Sequence, residues 1–149
     1  MRVVAYTNGH GVCQPVVGGR ILVVEDELLV GLDIACMLEE RGYEVVDVVD
    51  NGTRAVATAA NEHPDLILMD ITIRGAMDGI EAAKAIHEQD HIPVVFVTSY
   101  TEGPLRERAE ATNPAGYVTK PFSPPELVRA VRNALAQHAA SVAVPESTA

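Results

Sequence analysis

The chain alternates short runs of consecutive apolar residues with longer stretches whose apolar positions recur at helical spacing. Residues 21–24, 45–49, 66–69, 94–97 and 117–118 are the strand candidates. Several are apolar at successive positions, which suits a parallel sheet covered on both faces and not an antiparallel sheet with one wet face. Between them, Leu28, Leu29, Leu32, Ala35, Cys36 and Leu38 form a stripe closed by Gly42, a natural residue for a left-handed helix end. Asn51 caps a second helix that stops before Pro64, and Asp78 with Glu81 opens a third whose Ile80, Ala83 and Ile86 face inward. Ser123 and Glu126 form a capping box, and Pro124 and Pro125 occupy a first turn where a missing N–H costs little. Leu127, Val128, Val131, Ala134 and Leu135 then supply that last helix's buried face. Cys36, Met37 and Met69 are assigned to the core.

A remaining helix, about residues 103–111, is different. It carries Arg106, Glu107, Arg108 and Glu110 with only Leu105 and a few alanines to bury, so it is expected to be the most mobile of the five. Five strand–helix repeats predict an α/β fold: a doubly wound, five-stranded parallel sheet with helices on both faces. In such folds ligands bind beyond the carboxyl ends of the strands, where the strand order reverses.

A length of 149 residues allows one domain with room for little else. Residues 20–138 are the expected folded unit, 1–19 a loosely held extension and 139–149 a tail that frays beyond the last helix. His10 and Cys13 in the extension have no second pair at zinc-like spacing and are given no function. The two cysteines do not make a disulfide framework, no secretion signal is legible at the start, and no apolar run approaches the ~18 residues of a membrane span. A soluble, cytoplasmic protein is expected. With a net charge of −10 the chain repels a polyphosphate backbone, so neither nucleic acid nor membrane is an expected partner.

Four of the five strand candidates run into polar residues: the first into Glu25, Asp26 and Glu27, the third into Asp70, the fourth into Thr98 and Ser99, the fifth into Lys120 two residues on. Taken singly, each has an ordinary reading as a helix cap or a strand end meeting water. Parallel neighbouring strands would instead bring Asp26, Asp70, Thr98 and Lys120 to one rim. Crowded acids need a cation, and oxygen-only ligands from Glu25, Asp26, Asp70 and one backbone carbonyl select a hard divalent ion, Mg²⁺. Lys120 and Thr98 are the groups needed to hold a three-oxygen anion on Asp70, so the set points to phosphoryl transfer onto a carboxylate.

Five segments, Ile21-Leu-Val-Val-Glu-Asp-Glu27, Asp65-Leu-Ile-Leu-Met-Asp70, Met77-Asp-Gly-Ile-Glu-Ala-Ala83, Pro93-Val-Val-Phe-Val-Thr98 and Gly116-Tyr-Val-Thr-Lys-Pro-Phe122, together resemble the receiver domain of bacterial two-component response regulators. The resemblance spans residues 20–138 and implies the flavodoxin-like strand order 2-1-3-4-5. It implies that Asp70 accepts a phosphoryl group from a sensor histidine kinase or a histidine phosphotransfer protein, and that Glu25, Asp26, Asp70 and the carbonyl of Thr72 hold Mg²⁺. Lys120 would pair with Asp70 and then with the phosphoryl group, Thr98 would hydrogen-bond it, and Tyr117 would turn in from solvent as the switch follows. Ser99 would leave access for the donor, Thr72 and Tyr100 would tune the lifetime of the acyl phosphate, and the Lys120–Pro121 bond would be cis. The loop from Asp70 to Asp78 is one residue longer than in chemotaxis-type receivers and lacks their usual proline.

The leading expectation is therefore a stand-alone receiver, a signalling switch that assists only its own phosphorylation and dephosphorylation, with an unknown downstream protein and a surface open to homodimer formation. An aspartyl-nucleophile phosphatase of the haloacid-dehalogenase kind would need a second acid two residues after the nucleophile, where Thr72 stands. A degenerate receiver that never carries phosphate is disfavoured by the intact Asp26, Asp70, Thr98 and Lys120.

Overall fold

A computed structural model describes residues 4–7, 13–16, 18–99 and 102–143. Two short strands, β1 (Val4–Thr7) and β2 (Cys13–Val16), pair antiparallel as a sheet of their own, in the segment where the sequence shows no period. The main sheet follows: β3 (Gly19–Val24), β4 (Tyr43–Val49), β5 (Leu66–Asp70), β6 (Val94–Thr98) and β7 (Gly116–Thr119), in the order β4-β3-β5-β6-β7 and all parallel. Numbered within that sheet, this is the expected 2-1-3-4-5. The helices are α1 (Leu28–Glu39), α2 (Gly52–Glu62), α3 (Gly79–Asp90), α4 (Pro104–Glu110) and α5 (Pro124–Ala143), the last running past the expected boundary at His138.

Strand alternation divides the core between two faces. Ile21, Val23, Leu66, Leu68, Val95 and Val97 pack with Ile34 and Leu38 of α1 and Leu127 and Val131 of α5. Leu22, Val24, Ile67, Met69 and Phe96 point the other way, onto Ala55 and Ala59 of α2, Ile80 and Ile86 of α3 and Ala109 of α4. Local chemistry starts α2, α3 and α5 as the sequence predicts. Asn51 accepts from the Arg54 N–H at 2.9 Å, Asp78 and Glu81 close a reciprocal capping box, and the Ser123 N–H and hydroxyl both donate to Glu126.

Helix α1 departs from expectation. Its inward residues are Gly31, Ile34, Ala35 and Leu38, whereas Leu28, Leu29 and Leu32 are 63%, 81% and 45% exposed. Cys36 is exposed and Met37 half-buried; of the three residues assigned to the core, only Met69 is fully inside. The helix is apolar on two adjacent faces, and the periodicity that identifies a helix does not say which face meets the sheet. On β4, a register shift between Ile21 and Leu22 of its neighbour inserts one extra residue and breaks the in-and-out alternation.

Candidate functional site

The order reversal falls between β3 and β5, whose carboxyl ends lie side by side because Val24 pairs with Met69. The residues that follow each strand are therefore forced together. Glu25, 2% exposed, and Asp70, 4% exposed, join the partly covered Asp26, with one carboxylate oxygen of each within 4.8 Å of the others. Lys120 arrives from beyond β7 and bridges two of them, its Nζ 3.1 Å from Asp70 Oδ2 and 3.1 Å from Glu25 Oε2. The Thr72 N–H donates to the second Asp70 oxygen at 3.2 Å, the Glu27 N–H donates to Glu25 at 3.2 Å, and Arg74 Nε lies 3.6 Å from Asp26.

Thr98, 1% exposed, ends β6, and its carbonyl accepts from the Lys120 N–H at 2.8 Å, which ties the lysine's backbone to the neighbouring strand end. Ser99 is exposed just beyond it, Thr72 is exposed on the loop after β5, and the Lys120–Pro121 peptide is cis. Tyr100 lies outside the described residues. The floor of the site depends on Gly79, the first residue of α3. Its N–H donates to the Ile71 carbonyl at 3.0 Å, and a Cβ there would overlap the Asp70 carbonyl oxygen.

Burial and the Asp70 charge push the Glu25 carboxyl up to about 7 from an ordinary 4.5, against the pull of Lys120 and the Glu27 N–H. For Lys120, burial pulls downward, but the Asp70 and Glu25 carboxylates outweigh it and raise the ammonium above its usual range. Three converging carboxylates with no nitrogen or sulfur donor among them fit a hard divalent cation. A raised acid stabilises the fold below its unfolded value and withdraws that support as pH climbs through the folded one, here from about 4.5 to about 7. Added Mg²⁺ is accordingly expected to raise the melting temperature more at pH 8, where Glu25 is ionised, than at pH 5.5, where a proton competes. Equal increments at both pH values would remove Glu25 from the cation's ligands.

Residues 21–132 match the family described as response regulator receiver domain. The chain belongs to that family. This receiver domain is 38% identical over 118 residues to the transcriptional regulatory protein PdtaR of Mycobacterium tuberculosis, covering 79% of the chain and 57% of that protein. It is 34% identical to the phyllosphere-induced regulator PhyR of Methylorubrum extorquens, covering 78% and 43%. The chain thus spans about half the length of these curated relatives. Among solved structures, the receiver domain of sensor histidine kinase PA1611 from Pseudomonas aeruginosa, with magnesium coordinated in its active-site cleft, superposes with a TM-score of 0.73 at 31% identity, covering 80% of this chain and 99% of that one.

The receiver's fourth helix shows contacts that sequence reasoning missed. The Arg106 guanidinium sits 3.5 Å over the Tyr117 ring, which packs beside Phe96, and Arg106 is itself within 3.6 Å of Glu110 one turn on. Arg108 reaches Asp78 at 3.2 Å and ties α4 to the cap of α3. The Tyr117 hydroxyl is not in water: both it and Arg106 Nε are buried without a hydrogen-bond partner among the described residues. Arg106 keeps a quarter of its side-chain surface exposed, so its cation–π contact is worth about 0.5–1 kcal/mol, and the ring is held by a narrow margin. Arg106→Ala is expected to tip that margin and make Tyr117 nitrate readily, as read by peptide mass spectrometry. Unchanged protection would show that Phe96 and the strand hold the ring without the arginine.

Proposed function

We propose that this receiver accepts a phosphoryl group on Asp70 from a phosphohistidine, borne by a sensor histidine kinase or a histidine phosphotransfer protein, and that the modification switches its contacts with another protein. The observation that carries this is the Lys120 ammonium shared between Asp70 and Glu25, with Asp26 close by, at the ends of adjacent parallel strands. Glu25, Asp26, Asp70 and the Thr72 carbonyl would hold Mg²⁺, which when bound offsets the charge building up on the transferring phosphoryl oxygens.

An Asp70 carboxylate oxygen attacks phosphorus in line with the departing imidazole. The P–N bond breaks, and its electron pair stays on the imidazole nitrogen. Lys120 passes from the free carboxylate to a phosphoryl oxygen, keeping Glu25 as its second partner, and the Thr98 hydroxyl donates to another. Exposed Ser99 and Thr72 leave the approach above Asp70 uncluttered. The apolar surface of Leu28, Leu29 and Leu32 begins two residues after Asp26, and it suits the packing of a donor helix beside the acids. Thr98 drawing its loop inward would act on α4 and Tyr117, the elements held by the arginine contacts, so a small displacement at the rim has a bistable surface to bias.

The test is labelling with a small phosphodonor such as phosphoramidate in Mg²⁺, read by intact-mass spectrometry. One acid-labile phosphoryl group per chain is expected, lost with EDTA and lost in Asp70→Asn. Label that persists in Asp70→Asn, or steady turnover of an added phosphomonoester as in a phosphatase, would overturn the reading.

A further inference from the structure

Lys120 is shared between Glu25 and Asp70, and among the described residues no ion pair joins it to Asp26. The cation paired with that third acid is Arg74, its Nε 3.6 Å from Asp26 Oδ2. The loop after β5 puts it there. Ile73 is buried and Met77 packs against the core, so apolar residues pin the loop on both sides of Arg74. Gly75 turns the chain between them at a φ of +106°, which glycine adopts without strain. The Arg74 side chain is 82% exposed, against 15% for Asp26. A cavity of about 290 Å³ opens beside the pair, bounded also by Asn51, Thr53 and Asp50.

An exposed ion pair adds little to the stability of the fold, because water already solvates both charges. Its weight falls on the next cation to approach. A carboxylate already facing a guanidinium has less negative potential to offer, and two positive charges at one acid repel each other. We propose that Arg74 is a displaceable counterion of Asp26, which weakens the affinity of the rim for Mg²⁺ and leaves Asp26 when the ion is bound. This rests on the reading of Glu25, Asp26 and Asp70 as the ion's ligands. The cavity gives the released head group room, and Asp50 on its wall gives it another carboxylate to face. Arg74 and Lys120 together then keep a positive charge at each of the three acids in the metal-free protein, but only Arg74 must give way. Phosphoryl acceptance is thereby made to wait for more Mg²⁺ than the acids alone would require.

The experiment is a MgCl₂ titration of the EDTA-treated full chain, followed by the NMR signals of the backbone amides and of the arginine side chains. Arg74→Gln is expected to bind Mg²⁺ about twofold to fivefold more tightly than wild type at low ionic strength, the range that exposed ion pairs span. That ratio should fall towards one in ~0.5 M KCl, where charges act over roughly 4 Å. Arg74→Lys keeps the charge and should stay close to wild type. In the wild type, the Arg74 Nε–H signal should shift in step with the amides of residues 25–27 and 70. Because Arg74 is exposed, Arg74→Gln is expected to keep its fold, which the melting temperature in EDTA verifies. Unaltered or weaker binding in Arg74→Gln, an equal gain in Arg74→Lys, or an Arg74 signal that stays still through saturation would each overturn the counterion while leaving the acids as the ion's site. Mg²⁺ binding that survives in Asp26→Asn would overturn the underlying ligand set, and the counterion with it.

Discussion

Lys120→Met is expected to destabilise the metal-free protein by roughly 2 kcal/mol at pH 8 and by much less at pH 5. Breaking a buried ion pair by removing one partner costs about 3–5 kcal/mol, and the lower figure reflects an ammonium that keeps 23% of its side-chain surface in water. In the variant, Glu25 and Asp70 face each other with almost no solvent and no cation. The sign follows from the carboxyl. Glu25 already has its folded value raised to about 7, and loss of the lysine raises it further. The neutral acid supports the fold at low pH, and that support disappears as pH rises through the folded value, so the penalty grows from pH 5 to pH 8. Mg²⁺ should restore most of the stability at pH 8 by supplying charge in place of the ammonium. It should not restore the rate of labelling if Lys120 receives a phosphoryl oxygen as proposed, since that group is then missing. Urea melts at the two pH values, with and without Mg²⁺, check this; a pH-independent loss would mean that Lys120 contributes through packing of its stem.

Gly79→Val is expected to damage both stability and labelling while leaving every charged residue intact. The added Cβ overlaps the Asp70 carbonyl oxygen and comes within 2.9 Å of the Ile71 Cα, both backbone atoms that no rotamer change can move aside. Overpacking of this kind costs about 1–3 kcal/mol, equivalent to a fall of roughly 2–12 °C in melting temperature for a domain of this size. The functional effect should exceed the thermal one. Relief comes only by shifting the end of β5 or the start of α3, and either movement carries the Asp70 carboxylate away from Lys120. The smaller Gly79→Ala separates the two effects, since its labelling rate can be measured in a fully folded protein. Wild-type melting and labelling in both variants would show that the start of α3 yields without disturbing Asp70.

The convergence of the acids at one rim is legible in the sequence. Glu25, Asp26, Asp70 and Thr98 stand out because parallel strands end on one rim, so the polar residue after each apolar run marks its position there. The two capping boxes were equally legible, since Asp78 with Glu81 and Ser123 with Glu126 are satisfied within three residues. Lys120 was placed at the rim, but its sharing between Asp70 and Glu25 was not foreseen, because the latter contact spans 95 residues. Arg74 on Asp26 and Arg106 over Tyr117 were missed altogether. Long flexible side chains carry no local signature of where their heads settle, and a run of charges such as Arg106 to Glu110 reads as a solvated helix face.

The chain's own pattern determined an α/β fold, five main-sheet strands, their helices and the chemical type of the rim, because period and capping depend on residues a few positions apart. Tertiary structure decided which apolar face of α1 is buried. It placed Gly31, Ile34 and Leu38 against the sheet and left Leu28, Leu29 and Leu32 outside. It also buried the Tyr117 hydroxyl under an arginine. Each of those outcomes is set by what packs against a surface, and burial is a property of the pair of surfaces, which neither sequence segment carries alone.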